Sequence, residues 1–335
     1  MSDLTLSSDG ELAAEPWFAK SNIDLLFYRV NRRPIVADPT FFEPEPDLLG
    51  HLRRILNYAE PGHSGRKNRR EWRLGSLVFD DMGRTFVGKL GWAKSAAALG
   101  QAWDSESHEW VERLVPKEDS AVAPVAFDAT GRVLGILKHP SFATTERVLH
   151  DVISEILNGG ERREDVPTAL WSVEPLGDSG EFSAWLDQVD QLLLLRMIFE
   201  RPNPDGEEAF EELFGRLDRY HADQIKEEIR ARDPANGLRK EEVWEDHTTR
   251  GFLSAALDHA FGRIWAKGRR GGRDTVYDQR AKVLRQSIDF VGVDWDTATE
   301  TVLNVVAQRS ARQVTDGKHS EGGRLLDGGG ASKAE

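Results

Sequence analysis

Cysteine is absent from the 335 residues. That removes disulfides, thiolate metal sites, iron–sulfur clusters and cysteine nucleophiles together, and it suits a reducing cytoplasm. Long apolar runs are missing as well. The longest, Leu192–Leu195 continuing through Met197 to Phe199, is interrupted by Arg196 and falls far short of the ~20 residues a membrane span needs. Met1 to Glu15 is acidic and serine-rich, without a basic stretch leading into an apolar one, so no secretory signal is expected. The expectation is a soluble, cytoplasmic protein that does not engage a membrane.

Catalytic motifs are missing too. The chain has no G-x-x-x-x-G-K-S/T phosphate loop, no G-x-G-x-x-G after a strand and no G-x-S-x-G elbow. Its 9 histidines are scattered, and none pairs with another at metal-ligand spacing. His247 stands beside Glu245 and Asp246, which reads either as a carboxylate–imidazole cluster or as an exposed charged turn. No catalytic residue, metal or cofactor is implied. Dispersed carboxylates such as Asp80, Asp81 or Asp128 leave a metal-dependent nuclease as a rival reading.

What is present is an ordinary globular composition, 39% hydrophobic and 30% charged, in a chain long enough for two domains. Residues 1–20 read as an N-terminal arm. Ile23–Val30 is strand-like up to Asn31 and Pro34, Pro39–Pro46 is a loop, and Leu48–Tyr58 carries apolar residues at helical spacing. Two segments then share one pattern, Phe79-Asp-x-x-Gly-Arg84 and Phe127-Asp-x-x-Gly-Arg132, each between apolar stretches. The aspartate bonds its own backbone and the glycine supplies positive φ, so both predict β-hairpins.

Thr144–Leu157 predicts a helix capped by Thr145 and ended at Asn158-Gly159-Gly160. Ala169–Val173 and Leu192–Phe199 predict strands around a short helix, Phe182–Val189. Arg201–Gly206 predicts a loop, and Glu207–Arg232 a long amphipathic helix. Leu238–His247 and Phe252–Phe261 follow as partly helical segments. Arg263–Phe290 is a ribbon, Asp296–Ser310 a last helix, and the glycine-rich residues from Thr315 onward a disordered tail. The fold class expected is α+β: a mainly antiparallel sheet with hairpins packed by helices, plus a more helical C-terminal region. Its division would be a sheet domain over 21–200, a helical region with a basic β-ribbon over 201–310, and a tail over 311–335.

The formal net charge is −13, which argues against a protein that coats nucleic acid, but a polyanion meets the local field rather than the average. Two segments run against the trend. His51–Arg73 carries Arg53, Arg54, Arg66, Lys67, Arg69, Arg70 and Arg73, with a centre read as a flexible loop from Gly62, Gly65 and Asn68 and flanked by Tyr58 and Trp72. Arg263–Arg285 carries Lys267, Arg269, Arg270, Arg273, Arg280 and Lys282 around a Gly268–Arg273 tip. Glycine lets backbone approach closely, arginine offers forked donors to phosphate, and indole and phenol rings offer stacking faces. Arg66, Lys67, Arg69, Arg70, Lys267, Arg269, Arg270 and Arg273 are therefore the candidate nucleic-acid-binding residues. Nothing resembles a recognition helix, so no sequence specificity is expected. The same loops could instead meet an acidic protein partner, or the acidic stretch Glu207–Glu228 of a second copy.

The Leu192–Gly206 stretch (LLLLRMIFERPNPDG) and the late Gly-Arg-rich ribbon resemble the RexA-type phage-exclusion proteins and their uncharacterised bacterial relatives. The likeness spans about half the chain, leaves the N-terminal half unplaced and carries no specific motif. It implies a DNA-binding sensor or effector in antiviral defence that acts as a homodimer or other homo-oligomer, with room for a second protein subunit. It implies no catalytic residue.

Overall fold

The computed structural model describes residues 22–34, 48–64, 70–80, 82–93, 98–115, 120–142, 146–164, 169–200, 210–290 and 294–319. The first part of the chain runs β1 (Ile23–Pro34), α1 (Leu48–Asn57), β2 (Gly62–Ser64), β3 (Arg70–Phe79), β4 (Thr85–Ala93) and the hairpin β5 (Ala98–Asp104) and β6 (Glu109–Val115). It continues through β7 (Ser120–Asp128), β8 (Val133–Leu137), α2 (Glu146–Glu161) and β9 (Ala169–Pro175). Next come α3 (Ser179–Gln188), β10 (Gln191–Glu200), α4 (Glu211–Tyr220), β11 (Gln224–Arg230), α5 (Glu242–Glu245) and α6 (His247–Leu257). The chain then forms β12 (Gly262–Arg270), β13 (Arg273–Asp278), β14 (Arg285–Ile288) and α7 (Trp295–His319). The fold is α+β with antiparallel pairing throughout.

The larger sheet has the order β14-β1-β8-β7-β4-β3-β2, with β9 also on β1. β1 is long enough to serve three partners: β8 along one edge, and β14 and β9 end to end along the other. Its core gathers Leu25, Phe27, Trp72, Trp92, Phe127 and Ile136 with α1, α2 and, from the far end of the chain, Val302 and Val306 of α7. The smaller sheet, β11-β10-β12-β13, closes a second core with α3, α4 and α6 through Phe182, Leu195, Met197, Phe199, Leu217, Phe252 and Tyr277. The second core draws on residues between Phe182 and Tyr277, while Ala260 and the residues from Val283 onward pack into the first.

Both Phe-Asp-x-x-Gly-Arg segments are hairpins, β3–β4 and β7–β8. In the first, Asp80 Oδ1 accepts from the N–H groups of Arg84 (2.7 Å) and Thr85 (3.0 Å), and Gly83 takes φ +67°. The second departs from expectation. Arg132, not Gly131, holds the positive φ of +56°. Gly131 is there for proximity: a Cβ would lie 2.4 Å from Ser310 Oγ on α7, which accepts its N–H at 2.8 Å.

Two expected elements are corrected. The long helix over 207–232 is broken, because His221 turns left-handed (φ +49°) and the next residues form β11. The alternation of Ile225, Glu227 and Ile229 against Lys226 and Glu228 has period two, and it wins over the helical reading once β10 offers an edge. Gly159-Gly160 does not end α2, which continues to Glu161. A Cβ on Gly160 would sit 2.2 Å from the Ile55 carbonyl oxygen, so the glycine admits α1. Thr145, Pro39–Pro46 and Arg201–Gly206 lie outside the described residues, and α7 runs on past Thr315 to His319.

Beyond Gly160, the buried Glu161 ties α1, α2 and β9. Its carboxylate accepts from His51 Nε2 (2.7 Å), Trp171 Nε1 (2.9 Å) and the Ala169 N–H (3.3 Å). Arg54 donates to His51 Nδ1 at 2.9 Å. Since guanidinium only donates, Nδ1 is bare and the proton sits on Nε2.

Candidate nucleic-acid interface

β12 and β13 pair from Trp265↔Asp278 to Arg270↔Arg273, closing on Gly271-Gly272 with φ of +53° and +77°. Positive φ at both central residues makes the tight turn whose twist matches the strands, which is why two glycines stand there. The tip is anchored at the end of α3. Gly271 N–H donates to Asp190 Oδ2 (2.6 Å), Arg270 to Gln188 Oε1 (2.7 Å), and the Arg269 carbonyl accepts from Asp190 N–H (2.8 Å). A basic ribbon held at its tip is an ordered platform rather than a loose loop.

Lys267, Arg269, Arg270 and Arg273 are brought together here. Lys267 (2.7 Å) and Arg269 (3.5 Å) share one carboxylate, Asp274. The hydrogen bond from Lys267, aided by the charges of Lys267 and Arg269, holds that carboxyl below its ordinary value. Arg273 is exposed and has no ion pair among the described residues. At the base of the ribbon Arg280 meets Glu174 (3.1 Å), Lys282 meets Glu181 (2.6 Å) and Arg285 faces Asp24 (3.8 Å). Each of those three cations has a carboxylate of its own, whereas at the tip Lys267 and Arg269 share one and Arg270 and Arg273 have no ion pair among the described residues.

The first basic segment is dispersed. Arg66, Lys67 and Arg69 lie outside the described residues. Arg70 stacks on Trp92 with its guanidinium carbon 3.8 Å from the ring centroid, and Arg73 lies over Trp103 at 5.1 Å. Burial lowers the pKa of Arg73, with Glu71 opposing. Trp72, expected as a stacking face, is fully buried and donates to Ser64 Oγ at 2.8 Å. Tyr58 is exposed. Arg70 belongs to the larger sheet and the ribbon to the smaller one.

A feature that no single segment of sequence displays is the outer face of the smaller sheet. Strand pleating sends Leu195, Met197, Phe199, Ile264, Ala266 and Tyr277 into the core under the helices. The alternate residues point away. In one row across the sheet, Glu228, Arg196, Trp265 and Asp278 are register partners; in the next, Arg230, Leu194, Lys267 and Val276. Arg263, Arg269 and Lys226 complete a face on which cations outnumber the acidic Glu200, Glu228, Asp274 and Asp278. Arg196 bonds Glu228 (2.6 Å) and lies 5.5 Å from the Trp265 ring centroid. On this face Trp265 is the one aromatic among the described residues, and it stands with Arg196, Arg263, Lys267 and Arg269, while Leu194 and Ile198 of β10 are buried.

The rival carboxylates have structural work. Asp80 closes its hairpin: burial alone would raise its carboxyl, but the N–H groups of Thr85 and Arg84 outweigh that and lower it. Asp128 Oδ1 accepts from Thr130 N–H at 2.8 Å, and Asp81 is outside the described residues. Asp246 caps α6 through Thr249 N–H (2.7 Å), while His247 faces Glu212 at 3.5 Å. Among the described residues no group of three or more His, Asp or Glu side chains could hold a metal ion, and no helix is long and apolar enough to cross a membrane.

Comparison with protein families finds no family model that matches this chain, and comparison with curated proteins finds no match.

Proposed function

We propose that this chain binds nucleic acid along the phosphate backbone, without sequence preference, through the β12–β13 ribbon and the outer face of its sheet. Arg269, Arg270 and Arg273 hold phosphates at the tip, and Lys267 and Arg263 continue the track along β12. Trp265 supplies an aromatic surface beside them. The observation that carries this reading is the register of β10, β11 and β12, which lines up cations from three strands around one indole. The chain acts by binding rather than by chemistry of its own. In the setting implied by its resemblance to phage-exclusion proteins, it is a cytoplasmic sensor or effector of antiviral defence.

The test is fluorescence anisotropy with duplex DNA, single-stranded DNA and RNA, each over a salt series. Binding whose logarithm falls linearly with log salt is the expected result. No binding to any of the three at low salt overturns the proposal and turns attention to an acidic protein partner.

A further inference from the structure

Among the described residues β11 ends the smaller sheet, paired with β10 on one side only. Ala231 N–H donates to the Leu193 carbonyl at 2.9 Å, in line with the register Leu194↔Arg230. Antiparallel strands alternate the direction of their backbone groups. Ile225, Glu227 and Ile229 therefore bond to β10, and the N–H and C=O groups of Gln224, Lys226, Glu228 and Arg230 face the open edge. Such an edge is a ready template for another strand.

We infer that this edge pairs with the same edge of a second copy, antiparallel and centred on Glu227. In that register Lys226 lies opposite Glu228 of the second copy, and Glu228 opposite its Lys226, on the outer face. On the inner face Ile225 meets Ile229, which is 38% exposed in the single chain and would be covered. Gln224 meets Arg230. Only Glu227 meets its own kind, at the axis, and each copy already holds it with Arg216.

The neighbouring same-face registers fail on charge. Centring on Glu228 sets Lys226 against Arg230 and Glu228 against itself, and centring on Lys226 sets lysine against lysine. A one-residue slip turns outer side chains toward inner ones. Like charges directly opposite are destabilising and opposite ones favourable, so the sequence selects one register out of these. The product is a two-fold dimer with a continuous eight-stranded sheet. The inference does not depend on the nucleic-acid reading.

The test is light scattering on size-separated full-length protein across a concentration series. Wild type should reach the mass of two 37.6 kDa chains. Lys226→Pro removes an N–H that points to the open edge, a place where proline is tolerated, so this variant should stay folded by circular dichroism and run as one chain. Lys226→Glu should also run as one chain, and the exchanged pair Lys226→Glu with Glu228→Lys should recover the dimer. Should Lys226→Pro fail to fold, the charge exchange decides. A wild type that stays at the mass of one chain overturns the inference, and so does a dimer that survives Lys226→Glu.

Discussion

Asp274 is the carboxylate that Lys267 and Arg269 share at the ribbon tip, so Asp274→Asn is a gain-of-binding perturbation. The substitution keeps the shape and the hydrogen-bonding reach while releasing both cations toward solvent. If the tip docks on phosphates, one additional phosphate contact becomes available. Each such contact steepens the salt dependence by about 0.9 on the log–log scale for duplex DNA and about 0.7 for single strands. At roughly 0.1 M salt that corresponds to about eightfold tighter binding to duplex and about fivefold to single strands. Asp274 is exposed, so stability should be little changed, and thermal unfolding provides the control. The assay is anisotropy at four or more salt concentrations, read as affinity and slope together. Unchanged affinity with unchanged slope would refute the claim that this tip meets phosphate.

Other outcomes follow from the packing. Glu161→Ala strands the buried His51 and Trp171 donors and should cost about 3–5 kcal/mol in urea unfolding, while a loss below about 1 kcal/mol would contradict the network. Gly160→Ala gains about 1 kcal/mol of helix propensity but drives a methyl into the Ile55 carbonyl. Overpacking of about 1–3 kcal/mol should win, lowering the urea midpoint. His139, half-buried with Nδ1 accepting from Ser141 N–H, has its pKa lowered by burial to about 4. The unfolded chain therefore takes up a proton near pH 6.5 that the folded one refuses until about pH 4. Stability should therefore drop as the pH is lowered from about 6.5 to about 4, and be restored as it is raised again. Partial exposure reduces the full linkage to about 1–2 kcal/mol, and His139→Gln should remove this part of the slope.

Local chemistry made much of the fold legible. The aspartate-led turns, the β1 and β10 apolar runs and the Gly271-Gly272 tip all stand where the residue types put them, because turn geometry and strand alternation are short-range. Longer-range demands were hidden. Gly160 and Gly131 read as a helix stop and a turn former, yet each serves a partner more than a hundred residues away in sequence or from another helix. Gln224–Arg230 reads as part of an amphipathic helix because its charges fit either period, and only the β10 edge decides. The same ambiguity hid the outer face. Arg196, Trp265 and Glu228 form one row only after three strands are set in register, so the ribbon tip was legible as a basic segment and the surface behind it was not.

The most direct test of the central claim compares wild type with the Arg269→Ala, Arg270→Ala, Arg273→Ala variant in a salt series against duplex and single-stranded DNA. Loss of three phosphate contacts should flatten the log–log slope by about 2 to 3 and weaken binding at every salt concentration. Equal slopes for the two proteins would contradict the account, since phosphate docking at this ribbon cannot survive the removal of its cations.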